Sequence, residues 1–192
     1  VAGAGDTLKA PLRGAGQANP LCASFEPIPR DPGENARSLA FILTFGKTRI
    51  ADLGDLQWNV EHELVCPVNK LGAVDLYMTT HHGTATSGSP QIVHALHPRV
   101  AIMNNGPRKG TMPKVVATLR ATKSVGAIYQ VHENVRPEPD TNTAKELIAN
   151  AGDKGEQCDA HYIKLNVNTT GESYSVSVPS TGHVKSFPTK KK

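Results

Sequence analysis

Aromatic side chains are scarce: one Trp, four Tyr and four Phe are spread over 192 residues. That is too few for a row of base-stacking platforms, so binding of single-stranded nucleic acid is not favoured. No apolar run approaches the roughly 20 residues of a membrane-spanning helix, and no membrane span is expected. Cysteine is limited to Cys22, Cys66 and Cys158, far apart and without a CxxC pair. Such spacing reads as neither a zinc knuckle nor a disulfide framework. One bridge plus a free thiol stays open, and with it an exported, periplasmic or cytoplasmic location. Histidine is absent before His62. Positive charge is in mild excess, with a net +4 and a pI near 9.0. Lys190, Lys191 and Lys192 supply much of that excess at a terminus. They suit a solubilising tail better than a phosphate grip, so a nucleic-acid partner is considered but not favoured. The chain opens Val1-Ala2-Gly3, with no Met and no charged-then-apolar signal pattern. This start reads as a chain from which something upstream was removed or omitted.

What is present fits one domain with a real core. Residues 1–36 are rich in Gly, Pro and Ala, and Pro11, Pro20, Pro27, Pro29 and Pro32 predict extended loop there. From Ser38 the pattern changes. Ser38 to Phe45 is an apolar run of strand length, and Gly46-Lys47 turns it into a second strand, Thr48 to Leu53, which predicts a hairpin leading to Gly54-Asp55. Residues 58–66 predict a short helix closed by Pro67. Val74 to Thr79 predicts a third strand that runs into Thr80-His81-His82-Gly83. Ser89-Pro90 reads as an N-cap followed by Pro in the first turn. Val100 to Met103 and Ala127 to Val131 predict further strands, separated by a helix from Pro113 that carries Val115, Val116 and Leu119 on one face. Tyr162 to Val167 and Ser173 to Val178 alternate around Thr169-Thr170-Gly171, which predicts a β-hairpin at a sheet edge followed by a basic tail over 181–192. The repeated strand, loop and helix order predicts an α/β fold with helices packed on a mixed sheet.

Strand exits are where an α/β scaffold presents reactive side chains. Three predicted exits carry metal-ligand types: Asp55, the pair His81-His82, and His132. A carboxylate and an imidazole brought together can hold zinc, which turns water into a nucleophile near neutral pH. Each has a bland alternative. Gly-Asp is ordinary turn chemistry, whereas two adjacent imidazoles beside Gly make poor core residues. Asp52, Asn105 and Lys109 are candidate cleft residues, the lysine for receiving an anionic group. His62, His94, His97, His161 and His183 read as packing or surface residues.

The order of these motifs resembles the second half of the metallo-β-lactamase superfamily, especially the branch related to the hydrolase domain of DNA-uptake (ComEC-like) proteins. The resemblance rests on Asn35, Ser38, Gly46 and Gly54-Asp55-Leu56, then Glu61 and Glu63, then His81-His82-Gly83-Thr84 with Ser87 and Ser89, then the stretch from Pro98 to Gly106. It covers about residues 35–135. It implies one half of an αββα sandwich, spanning residues 37–180, with helices on one face of its sheet. It also implies a metal-dependent hydrolase of small-molecule substrates, in which a metal-bound hydroxide attacks an ester, lactone, lactam or phosphoester bond. Asp55 would bridge two metal ions, zinc first with manganese or iron as alternatives, and His82 or His81 would ligate the second. Asp55 and His82 are the implied catalytic pair. The superfamily's His-x-His-x-Asp-His segment is missing, so an N-terminal half or a second chain would have to complete the site. A non-catalytic binding domain of the same fold is the alternative.

Overall fold

The hairpin of Phe41–Phe45 (β1) and Thr48–Asp52 (β2) opens the main sheet. The computed structural model describes residues 8, 10–12, 14–152 and 158–190. After β2 the chain repeats one step: helix Trp58–Val65 (α1), strand Leu76–Met78 (β3), helix Pro90–Leu96 (α2), strand Val100–Met103 (β4), helix Pro113–Ala121 (α3) and strand Ala127–His132 (β5). Strand Ile148–Asn150 (β6) ends the sheet, whose order is β1-β2-β3-β4-β5-β6, antiparallel at β1–β2 and parallel from β2 to β6. Because the order advances one strand at a time and such crossovers are right-handed, the three helices fall on one face.

The strand pattern shows why both faces are filled. Ala51, Tyr77, Ala101 and Met103 point to the helices and join Leu64, Val65, Ile92, Val93, Leu96, Val115, Val116 and Leu119 in one core. Their neighbours Leu76, Val100, Ile102 and Tyr129 point the other way, into a second core with Tyr174, Val176, Val178 and Phe187. Successive strand residues face opposite sides, so one sheet serves two cores. The second core is closed by an antiparallel meander of Lys164–Val167 (β7), Ser173–Val178 (β8) and His183–Pro188 (β9).

The fold is thus an α/β sandwich with helices on one face of a mixed six-stranded sheet, as the periodicity predicts. Two expectations need correction. The C-terminal hairpin does not extend a sheet edge but stacks as a separate sheet on the face opposite the helices. Part of the expected tail is strand: residues 183–188 form β9, with Phe187 buried on Tyr174 at 5.4 Å between ring centroids. Lys191 and Lys192 lie outside the described residues.

The segment before β1 is irregular, as its prolines predict, yet it is fastened to the domain. Cys22 and Cys66 are disulfide-bonded, Ala18 bridges Val68, and the Asn59 side chain holds both the N–H and the C=O of Ile28 at 3.1 and 2.8 Å. Leu8 and Leu12 pack against the helical core. At the far side, β1 presents Phe41, Leu43 and Phe45 to solvent at 41%, 54% and 52% exposure. These share a face with Ile50, the register partner of Leu43, which packs on the second core. The meander leaves this end of the sheet face bare.

Candidate functional site

Two strand exits are locked together at the end of the sheet. After β2, the Asp52 carboxylate accepts the Gly54 N–H at 3.0 Å and the Ser38 hydroxyl accepts the Asp55 N–H at 3.1 Å. After β3, the Tyr77 hydroxyl accepts the Thr80 N–H at 3.0 Å, and the chain then enters a left-handed turn. His81, His82 and Gly83 have φ of 51, 60 and 76°. The left-handed region costs a non-glycine residue about 1–2 kcal/mol, so the two histidines hold this turn against their own preference. Tertiary bonds keep it there. Gly54 C=O accepts the His81 N–H at 2.9 Å, and the loop before α3 supplies Thr111 N–H to His82 C=O at 3.1 Å and Met112 N–H to Gly83 C=O at 2.9 Å.

This turn carries both imidazoles to one carboxylate. His82 Nε2 stands 3.5 Å from Asp55 Oδ1, and His81 Nε2 stands 3.8 Å from Asp55 Oδ2. The rings lie 5.9 Å apart at 61°, so each faces its own carboxylate oxygen. The His82 tautomer follows from its second nitrogen, which sits 2.9 Å from the Asn104 carbonyl oxygen. A carbonyl only accepts, so Nδ1 carries a hydrogen and Nε2 is the ring atom left to face Asp55. Its neighbour there is a carboxylate oxygen, which only accepts. Two acceptors at this spacing call for a cation between them, either a proton or a metal ion. His81 leans the same way. Burial lowers its pKa, against the raising effect of Asp55, and Lys109 and His82 add to the lowering while Asp31 opposes it. Its Nδ1 is buried with no hydrogen-bond partner among the described residues.

The other sequence candidates have distinct places. Asp52 is half-buried and caps the Gly54 turn. Lys109 is exposed on the loop after β4, close enough for its charge to act on His81. His132 ends β5, with its backbone N–H and C=O tied to the Asn105 side chain at 3.4 and 2.8 Å. Asn105 itself is 1% exposed, so its amide belongs to the scaffold. One Asn-Asn pair therefore joins two exits, since Asn104 orients the His82 ring and Asn105 holds the end of β5. His94 and His97 line a groove of about 660 Å³ between α2 and α3, on the helical side.

Asp31 was missed by the sequence reading. It accepts Gly33 N–H and Gln57 Nε2 at 2.9 and 3.0 Å, and its charge acts on His81. Nothing local marks it: it sits in a Gly- and Pro-rich segment that reaches the site only because that segment is fastened down.

Glu61, Ser87 and Ser89 turn out to be support. Glu61 is fully buried and accepts the N–H groups of Gly88 and Ser89 at 2.8 and 3.0 Å, Ser89 caps α2 through Ile92 N–H at 3.2 Å, and the Ser87 hydroxyl donates to Leu56 C=O at 2.8 Å. Burial raises the Glu61 pKa above 4.5, and the hydrogen bonds oppose that rise without cancelling it. A raised folded pKa gives stability that is present below the unfolded value and lost as pH climbs through the folded one. Glu61→Gln cannot ionise but gives up one acceptor. Its stability deficit against the parent should be greatest near pH 4 and shrink as pH rises, read by urea unfolding across a pH series. A deficit that does not change with pH would rule out this account of Glu61.

Against protein-family models, curated proteins and solved structures, the chain matches none.

Proposed function

We propose that this chain carries part of a metal-dependent hydrolase site of the metallo-β-lactamase type, with Asp55, His82 and His81 as metal ligands. The observation that supports it best is His82 Nε2 facing Asp55 Oδ1 at 3.5 Å while Nδ1 is engaged by the Asn104 carbonyl. Zinc bonds of about 2.0–2.2 Å at a tetrahedral angle put two N/O ligands roughly 3.4 Å apart, so the residues fit the ion. The second carboxylate oxygen faces His81, which suits a carboxylate shared between two ions. Zinc is the first choice, with manganese or iron as alternatives, and when bound it supplies Lewis acidity and a more acidic water. The chain's own residues hold and orient. Asn104 keeps His82 in the ligating tautomer, burial keeps His81 neutral, and Lys109 offers a cation to an anionic substrate group. The substrate class is a small molecule with an ester, lactone, lactam or phosphoester bond.

Three donors on one chain fall short of a complete two-ion site. The remaining ligands would come from an N-terminal half or a second chain, and the bare apolar strip of Phe41, Leu43 and Phe45 is where such a half would pack. On this reading the isolated chain binds zinc weakly and turns over poorly.

The test is zinc titration by calorimetry on two variants. Asp55→Ala should abolish binding. His82→Gly should weaken binding at least tenfold while raising stability by about 1 kcal/mol, because glycine relieves the left-handed strain. Zinc affinity that is indifferent to Asp55→Ala would end the proposal. Zinc bound by the completed assembly without turnover would favour a non-catalytic binding domain.

A further inference from the structure

We propose that Cys22, His62 and Cys66 form a second metal site, separate from Asp55, that takes a thiophilic divalent ion when the Cys22–Cys66 bond is reduced and loses it on oxidation. One potential ligand atom from each of the three lies within 4.8 Å of the others. The geometry comes from two elements. His62 and Cys66 are one helical turn apart at the end of α1, where Cys66 N–H donates to His62 C=O at 2.8 Å. Cys22 arrives on the short 3-10 turn Pro20–Ser24.

The surroundings suit a ligand set better than a bare crosslink would require. Phe25 stacks on the His62 ring at 3.8 Å and 19°, fixing its plane. Among the described residues no hydrogen bond engages the ring nitrogens of His62, so a lone pair is available. Asn19 is 6% exposed and turns its amide both to Gln91 C=O at 3.1 Å and toward Cys66 Sγ at 3.9 Å. An N–H aimed at sulfur is the outer-shell partner that a thiolate ligand uses. Two thiolates and an imidazole form a set selective for zinc-class ions, with the fourth position left to water. None of these residues takes part in the Asp55 site.

The redox step balances with a dithiol reductant. Its two thiols give up two electrons and two protons and close to a disulfide, while the Cys22–Cys66 bond takes them up and opens to two thiols. The metal ion then displaces both thiol protons to solvent. Two thiolates on one ion sit about 3.7 Å apart, so the sulfurs must separate, which rotation of the half-buried Cys22 side chain allows.

The experiment uses the whole chain with Cys158→Ser, which removes the exposed third thiol. The protein is reduced with a dithiol, desalted without oxygen and titrated with cobalt(II), which reports thiolate ligation by its charge-transfer absorption. One cobalt per chain with that absorption is expected in the reduced protein and none in the oxidised one. His62→Ala should weaken binding by roughly 10–100-fold or more, the range already seen when an outer-shell partner alone is lost. Asp55→Ala should leave the absorption unchanged, which separates this site from the proposed hydrolase site. As a second measure, bound zinc should slow re-formation of the disulfide at least tenfold in thiol counting. Absence of the charge-transfer band in reduced protein overturns the proposal. So does a His62→Ala affinity equal to the parent's, or a re-oxidation rate that zinc does not alter.

Discussion

Alanine at Gly110 is expected to cost about 4 kcal/mol or more, at the extreme end of single substitutions, and to remove with it the zinc binding proposed at Asp55. Gly110 adopts φ +84, and a Cβ there would lie 2.1 Å from the His82 carbonyl oxygen, 2.9 Å from its carbonyl carbon and 3.0 Å from Asn105 Cβ. Two of those three atoms are backbone, so no side-chain rotation relieves the overlap. The backbone that must move is the left-handed turn that aims both imidazoles at Asp55, and it is held by Thr111 N–H and Met112 N–H immediately beyond Gly110. Gly182 provides the control: its φ is +73, but a Cβ there meets nothing within 4 Å. Gly182→Ala should therefore show only the conformational cost of about 1–2 kcal/mol. In a chain of this size each kcal/mol moves the melting temperature by about 2–4 °C, so the two variants separate clearly in a thermal scan. Equal shifts in the two would mean that the approach of the two loops is not what positions the His81-His82 turn.

The strand exits that build this site were readable in the sequence because their signals are local and reinforce one another. Apolar runs end at Gly-Asp and at His-His-Gly, and Ser89-Pro90 marks a helix start that the structure also has at Pro90. The alternating core of β8 was equally plain, with Tyr174, Val176 and Val178 buried. Elements that depend on distant partners were not readable. β6 has three residues, all buried, too few to show a period. β9 buries only Phe187 and shares that face with His183 and Lys185, while Val184 lies exposed on the other, so no apolar alternation marks it until β8 is seen beside it. The left-handed turn at His81 and His82 gave no signal either, since neither residue favours that conformation. Asp31 and the Cys22–Cys66 pair were hidden for the same reason: their meaning comes from where an irregular segment is tied down, which composition does not encode.

That tie should be worth about 4 kcal/mol, the loop-entropy value for a bridge closing a loop of this size. The cysteines are 44 residues apart, and the loop they close contains the irregular segment that carries Asp31 as well as β1, β2 and α1. Without the bond, the segment around Cys22 is still held by the Phe25–His62 stack, the Asn59 bonds to Ile28, the Gln57 bond to Asp31, the bonds of Gln91 to Asn19 and Leu21, and the Ala18–Val68 bridge. Net hydrogen bonds contribute about 1 kcal/mol each and a stacked ring pair about the same. Ordering each of the intervening residues costs about 1–2 kcal/mol. The crosslink adds to these contacts, so without it the opening of the segment becomes easier by up to about 4 kcal/mol. Cys22→Ala with Cys66→Ala should lower the urea midpoint accordingly and open residues 23–37 to proteolysis while the sheet core remains protected. The loss should also reach the site. Burial lowers the His81 pKa and the Asp31 charge opposes it, so releasing the segment that carries Asp31 should shift the His81 imidazole signals in an NMR pH series. An unfolding free energy within about 1 kcal/mol of the parent, with residues 23–37 still resistant to protease, would show that packing alone keeps the Asp31 segment in place.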